Sequence, residues 1–321
     1  MPGFAVPQGP LSLLPEIAEA LHTGKPVVAL ESTVIAHGLP HDQALEAART
    51  LEAEVRTAGA VPATVAVLDG RIRIGLEAPD LERLIAEPPP AKLSRRDLAA
   101  TLASGEAGAT TVAATMACAA LAGIGVFATG GIGGVHRGGE QSLDISADLT
   151  ELARSPVAVV CAGAKAILDL PRTLEVLETL GVPVLGLGTD RFPAFWCRDS
   201  GLPVSRRCAD LAAVAAIIRT HRRLDPAGGV LVCNPVPAEA ALDAGEIEAV
   251  LGPALNEAAE AGIAGPALTP FLLARLGDLS SGRTLAANLA LLRSNARIAG
   301  ELAVRLAEPA LSKLPRRRLW R

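Results

Sequence analysis

The sequence predicts an α/β protein in which helices sandwich a sheet. Short apolar runs of strand composition recur along the chain, among them KPVVAL, IGVFA, PVAVVC and VPVLGL. Stretches of helical period alternate with them, and that alternation marks a sheet covered by helices. Half of the residues are apolar but only 2% are aromatic, so alanine, valine, leucine and glycine must fill the core.

Taken in order, LSLLPEIAEALHTG predicts a helix stopped by Gly24. KPVVAL predicts a buried strand that delivers Glu31, Ser32 and Thr33 at its C-terminal end. HDQALEAARTLEAEVRTAG is an amphipathic helix with Gly59 near its stop. VPATVAVLDGRIRIGL has strand composition around Asp69-Gly70, a hairpin signal. APDLERLIAE is a short helix, and Lys92 falls in the loop before the next one. TTVAATMACAALAG is a closely packing helix of small residues, and IGVFATGGIGGVHRGG is a strand followed by a glycine loop. SADLTELARS opens a helix near Ser146, and PVAVVCAG is the next strand. AKAILDLPRTLEVLETLG predicts a helix with Pro171 as its candidate break. VPVLGLG and GGVLVCNPVP are strands around the helix CADLAAVAAIIRTHRRL, and the remainder is mostly helical.

Composition excludes several function classes. The chain has 321 residues, with 30 basic and 34 acidic ones, a net charge of −4 that gives no case for nucleic acid. A basic cluster, KLPRRRLW, lies at the C-terminus. The five cysteines are far apart with no CxxC pair, which fits reduced thiols and neither a disulfide scaffold nor a zinc thiolate site. MPGFAVPQGP lacks the basic and long apolar regions of a signal peptide, and no stretch suits a bilayer span. The expectation is a single cytoplasmic domain over 1–321 with a short basic tail at about 311–321.

Ligands of α/β proteins bind beyond the C-terminal ends of the strands. Glu31, Thr129, Lys165, Thr189 with Asp190, and Asn234 all fall at such ends. TGGIGGVH, from Thr129 to His136, has neither dinucleotide-loop nor Walker spacing. It is either an anion or ligand loop, whose backbone N–H groups can bind without either motif, or a tight turn with no ligand. Asp144 and Asp148 bracket Ser146; they are either oxygen ligands for Mg²⁺ or Mn²⁺, or capping groups of a helix start. Lys165 follows VVCAGA with no charged neighbour before Asp169. Desolvated there, its amine could attack a carbonyl carbon as a Schiff-base nucleophile; otherwise it is an exposed helix lysine. Asn288, inside an apolar helix, needs either a backbone or a substrate partner.

Taken together, VALESTVIAHGLP, GATTVAATMACAALAGIGVFATGGIGGVHRG, DISADLTEL, VAVVCAGAKAILD, GVPVLGLGTD, NPVP, LTPFLL and SGRTLAANLALL resemble the pseudouridine-5′-phosphate glycosidases, also called the indigoidine synthase A-like family. The resemblance implies a three-layer α/β/α fold with a mixed central sheet, a homotrimer and a divalent metal, usually Mn²⁺. It implies reversible cleavage of the C–C glycosidic bond of pseudouridine 5′-phosphate to uracil and ribose 5-phosphate. Glu31 matches the family's proton donor, Lys165 its nucleophile and Asp144 its metal contact. Lys92 and Val112 match its phosphate side; Ser146, Ala147, Asp148 and Asn288 match substrate contacts, and Thr129 and His136 of the glycine loop are placed with them.

Competing readings keep parts of this pattern. A ribokinase-like sugar kinase requires a late catalytic aspartate in a glycine-rich anion loop, which the sequence does not show. An aldolase-like lyase would share the lysine but release no nucleobase, and a binding protein would tolerate loss of both Glu31 and Lys165.

Overall fold

The computed structural model describes residues 9–263, 265 and 268–308. The basic tail and most of MPGFAVPQGP lie outside the described residues. The described chain opens with a strand, β1 (Leu11–Leu13), where a helix was expected. Leu14 stays extended, and Pro15, lacking the N–H that a first turn does not need, starts α1 (Pro15–Thr23). Then come β2 (Val27–Glu31), a short helix α2 (Thr33–His37) without a sequence signal, and α3 (His41–Thr57). The hairpin of β3 (Val61–Leu68) and β4 (Arg71–Ile74) turns at Asp69 and Gly70, both with positive φ (53° and 69°), as a type I′ turn requires.

After α4 (Ala78–Leu84), Lys92 lies on a strand, β5 (Ala91–Leu93), not in a loop. Next are α5 (Leu98–Ser104), β6 (Gly108–Thr110), α6 (Val112–Leu121) and β7 (Val126–Ala128). The glycine loop leads into β8 (Val135–His136), α7 (Gly139–Ser142) and α8 (Ala147–Leu152). Beyond β9 (Ala158–Cys161), Lys165 is in neither helix nor strand. The short β10 (Leu168–Asp169) precedes α9 (Leu170–Thr179), which starts only where Asp169 caps it and Pro171 occupies its first turn. Pro171 therefore opens this helix rather than breaking it. The remaining elements are β11 (Val184–Leu187), β12 (Arg206–Cys208), α10 (Leu211–Leu224), β13 (Val230–Cys233), α11 (Ala244–Glu260), α12 (Leu268–Leu279) and α13 (Arg283–Ala307).

The main sheet runs β1-β4-β3-β2-β7-β9-β13-β11-β12, with β6 also pairing β3 and β5 pairing β6. It is mixed, as expected: β4 and β6 run antiparallel to β3, and all its other pairings are parallel. Helices α3, α10 and α13 pack together over the sheet, while α6 packs with α8 against β2 and β3, giving three layers. Central strands β9 and β13 are wholly buried, whereas edge strand β12 exposes Arg206 and Arg207. That pattern is expected of a parallel sheet covered on both faces, with charge at its edge.

Candidate active site

Three adjacent parallel strands, β2, β7 and β9, end at the same edge of the sheet. Their ends present Glu31, Thr129 and the loop that carries Lys165. Thr129 is buried; its hydroxyl donates to Glu31 Oε1, and its carbonyl accepts from Asn295 Nδ2 at 2.8 Å. Thr129 thus holds the carboxyl from behind.

The glycine loop is a packing seam. Its backbone continues the β7–β9 ladder: Ala162 N donates to Gly130 O (2.8 Å), Ile132 N to Gly163 O (3.0 Å) and Lys165 N to Ile132 O (3.1 Å). Gly133 N is given to Asp148 Oδ2 (2.7 Å) and Val135 N to Thr173 Oγ1 (3.0 Å). The N–H groups of Ile132, Gly133 and Val135 are therefore spent within the protein, while Gly130, Gly131, Gly133 and His136 of the same loop line the cavities of the site. A Cβ on Gly131 would lie 2.6 Å from the Phe195 ring, and one on Gly133 2.4 Å from Ser146 Oγ. Phe195 holds a positive φ of 59° against this seam.

Asp148 ties two elements together. Its Oδ1 accepts from Ala113 N (2.9 Å) in the first turn of α6, and its Oδ2 accepts from Gly133 N. It thus complements the N-terminus of a neighbouring helix as well as sitting in its own. Ser146 is the N-cap of α8 and accepts weakly from Asp148 N at 3.2 Å.

The predicted residues converge. Glu31, Lys92, Val112, His136, Asp144, Ser146, Ala147, Asp148 and Lys165 all line one cavity of about 330 Å³. A narrow cavity of about 50 Å³ shares Glu31, Lys92 and Lys165 with it and adds Asn288. Through His37, Leu273 and Asn288 this neck meets a third space of about 590 Å³, walled in part by Trp196. Thr189 and Asn234 serve elsewhere. The Thr189 hydroxyl accepts from Arg191 N at 2.9 Å in a surface turn, and Asn234 Nδ2 donates to Ser294 Oγ (3.0 Å) and Asn295 Oδ1 (2.9 Å) on α13.

Charge and burial set the chemistry. Burial pushes the Glu31 carboxyl above the usual carboxylate range, against the pull of Lys165 and the Thr129 hydrogen bond. Burial holds Lys92 below the usual lysine range, and the charge of Lys165 adds to this. His136 is also held low by burial, while Asp144, whose Oδ2 lies 3.9 Å from its Nδ1, pulls it up. The lysine at 165 is therefore not in the apolar setting its neighbours in sequence suggest; it shares a cavity with Glu31, Lys92, Asp144 and Asp148.

Sequence reasoning missed several groups on these walls. His37 lines the neck, with Nε2 2.9 Å from Pro90 O, and Arg96 and Thr111 line the first cavity. Thr33 Oγ1, Trp196 Nε1 and Asn288 Oδ1 are buried without a hydrogen-bond partner. For Asn288 this favours the substrate reading, since a buried polar atom left unpaired costs about 1–3 kcal/mol. The five cysteines are buried and free, as expected, and burial pushes Cys118 up to about 12.

The donor set fits one kind of metal. Among the described residues no three His, Cys, Asp or Glu side chains gather as a ligand cage. Asp144 offers a single, 39% exposed carboxylate at the cavity, following Leu143 in a strained left-handed conformation (φ 56°). One carboxylate plus water suits a hard divalent cation that keeps its hydration shell, not zinc.

Comparison with known proteins adds independent findings. The sequence profile of the family described as "Indigoidine synthase A like protein" matches residues 16–305. A Methylobacterium nodulans protein named pseudouridine-5′-phosphate glycosidase is 60% identical over 301 residues, covering 94% of this chain and 89% of its own. One of the same name from Paracoccus denitrificans is 59% identical, covering 92% and 98%. The crystal structure of a prealnumycin C-glycosynthase in complex with ribulose 5-phosphate superposes with a TM-score of 0.87 at 42% identity, covering 94% of this chain and 98% of that one. An indigoidine synthase A-like protein from Thermotoga maritima superposes with a TM-score of 0.84 at 36% identity, covering 95% and 100%.

Proposed function

The chain belongs to the indigoidine synthase A-like family, and from that membership we propose that it is an enzyme that reversibly cleaves pseudouridine 5′-phosphate to uracil and ribose 5-phosphate. The observation that carries the reading is the convergence of Glu31 and Lys165 on one cavity, with Lys92 and the start of α6 also on its wall.

A C–C glycosidic bond offers no leaving oxygen to protonate, so the acid/base pair of ordinary glycosidases is not enough. Lys165 supplies an alternative. The C1′–O4′ bond breaks and O4′ takes a proton, while the amine of Lys165 bonds to C1′ and loses one. Glu31, whose carboxyl burial pushes above the usual carboxylate range, delivers a proton to the uracil carbon. The lone pair of the Lys165 nitrogen then forms C1′=N, and the C1′–C5 electron pair departs with uracil. Water hydrolyses the imine, freeing ribose 5-phosphate and the lysine. In the reverse direction the same imine accepts the uracil carbon.

At the phosphate end, Lys92 supplies positive charge and the N-terminus of α6, at Val112, supplies partial positive charge. Ser146, Ala147 and Asp148 line the same cavity, Asp148 being bonded to Ala113 N beside Val112; His136 lies beside Asp144, and Asn288 meets the base. Asp144 would hold a divalent cation, Mn²⁺ or a substitute, which when bound supplies charge and ordered water. We also read the chain as a cytoplasmic homotrimer; no described helix is long and apolar enough to cross a membrane. Incubation with pseudouridine 5′-phosphate tests the reading: release of uracil supports it, and no release with or without Mn²⁺ refutes it.

A further inference from the structure

Two adjacent hydroxyls at the end of β2 have opposite fates. Ser32 is fully used by the fold: its Oγ donates to Val65 O (2.6 Å) and accepts from Thr110 N (2.8 Å). Thr33 Oγ1 is also buried, yet has no hydrogen-bond partner. Thr33 lines both the first cavity, with Asp144 and Val112, and the neck that leads to Asn288. Glu31 and Lys165 line the same two spaces, so Thr33 stands at the junction where C1′ must lie.

We propose that Thr33 is a sugar-binding residue, its hydroxyl completed by an oxygen of the ribosyl group. This rests on the reading of function given above. A hydroxyl both donates and accepts, which suits a sugar alcohol or the ring oxygen released on opening. The folded chain leaves this group unpaired, and a ligand that pairs it recovers what burial cost. Val112, at the proposed phosphate contact, lines the first cavity and not the neck, and Asn288, at the proposed base contact, lines the neck and the third space and not the first cavity. The sugar between them is the part that meets Thr33.

The contrast with Ser32 yields the test. Thr33→Val keeps shape and removes only a hydroxyl that the free protein does not use. Its melting temperature should equal or exceed that of the wild type, whereas Ser32→Ala should melt lower. Ribose 5-phosphate, titrated calorimetrically, should bind Thr33→Val about tenfold to a hundredfold more weakly. Thr33→Ser should bind nearly as the wild type does. Unimpaired binding by Thr33→Val, beside a wild type that binds, overturns this inference alone. So does a loss of melting temperature as large as that of Ser32→Ala, since the hydroxyl would then serve the fold. A wild type that neither binds ribose 5-phosphate nor releases uracil overturns the parent reading as well.

Discussion

Thr129, on the first residue after β7, donates its hydroxyl proton to Glu31 at the end of β2. The bond spans two neighbouring parallel strands and fixes the carboxyl at the cavity wall. It favours the ionised form, yet burial outweighs it and keeps Glu31 above the usual carboxylate range.

Glu31→Gln keeps the shape and removes the transferable proton. Turnover should fall by about 10²–10⁴-fold, the usual worth of a general acid, while ribose 5-phosphate still binds. The sign for stability follows from the raised pKa. The contribution of Glu31 is full below its unfolded pKa and is lost as pH rises through the folded one. Glu31→Gln should therefore gain stability relative to the wild type between about pH 5 and about pH 8. Melting curves at both values check this; a relative loss at the higher pH contradicts it.

Asp148→Ala strips the acceptor from Ala113 N and Gly133 N. Two orphaned N–H groups predict a loss of about 2–5 kcal/mol in chemical denaturation, with weaker substrate binding. An unchanged denaturation midpoint would show that the bracket is not structural.

Gly131→Ala drives a methyl to 2.6 Å from the Phe195 ring and 3.1 Å from the Gly163 carbonyl. The overpacking predicts a loss of about 1–3 kcal/mol. Because Gly163 belongs to the loop that carries Lys165, turnover should fall too. Wild-type stability with wild-type turnover would refute the packing role of this glycine.

Activity should vanish on dialysis against a chelator and return with Mn²⁺. Asp144→Asn should shift the Mn²⁺ concentration needed to higher values. Full activity of the rigorously metal-free enzyme refutes a metal at Asp144.

Part of this site was legible because Glu31, Thr129 and Lys165 follow recognisable apolar strands, although the same rule also nominated Thr189 and Asn234, which serve elsewhere. Glu31 and Lys165 could be nominated that way, and motif order supplied their roles. Their meeting was not legible, since it depends on β7 lying between β2 and β9, an order set by long-range pairing. The setting of Lys165 was misread because AKAILDL scans as helix, whereas its backbone is tied to the glycine loop and α9 waits for the Asp169 cap. His37 and Trp196 carry no local signal, and Thr33, though delivered at the end of β2 beside Glu31, is told apart from Ser32 only by the cavity wall.

The proposed reaction turns on a bond between Lys165 and C1′ of the sugar. Borohydride reduction in the presence of ribose 5-phosphate, followed by peptide mass analysis, tests it most directly. One reduced sugar phosphate adduct is expected, on the peptide containing Lys165, and none in Lys165→Arg, which keeps the charge but not the nucleophile. An adduct on Lys92 instead, or uracil released by Lys165→Arg at near the wild-type rate, would contradict it.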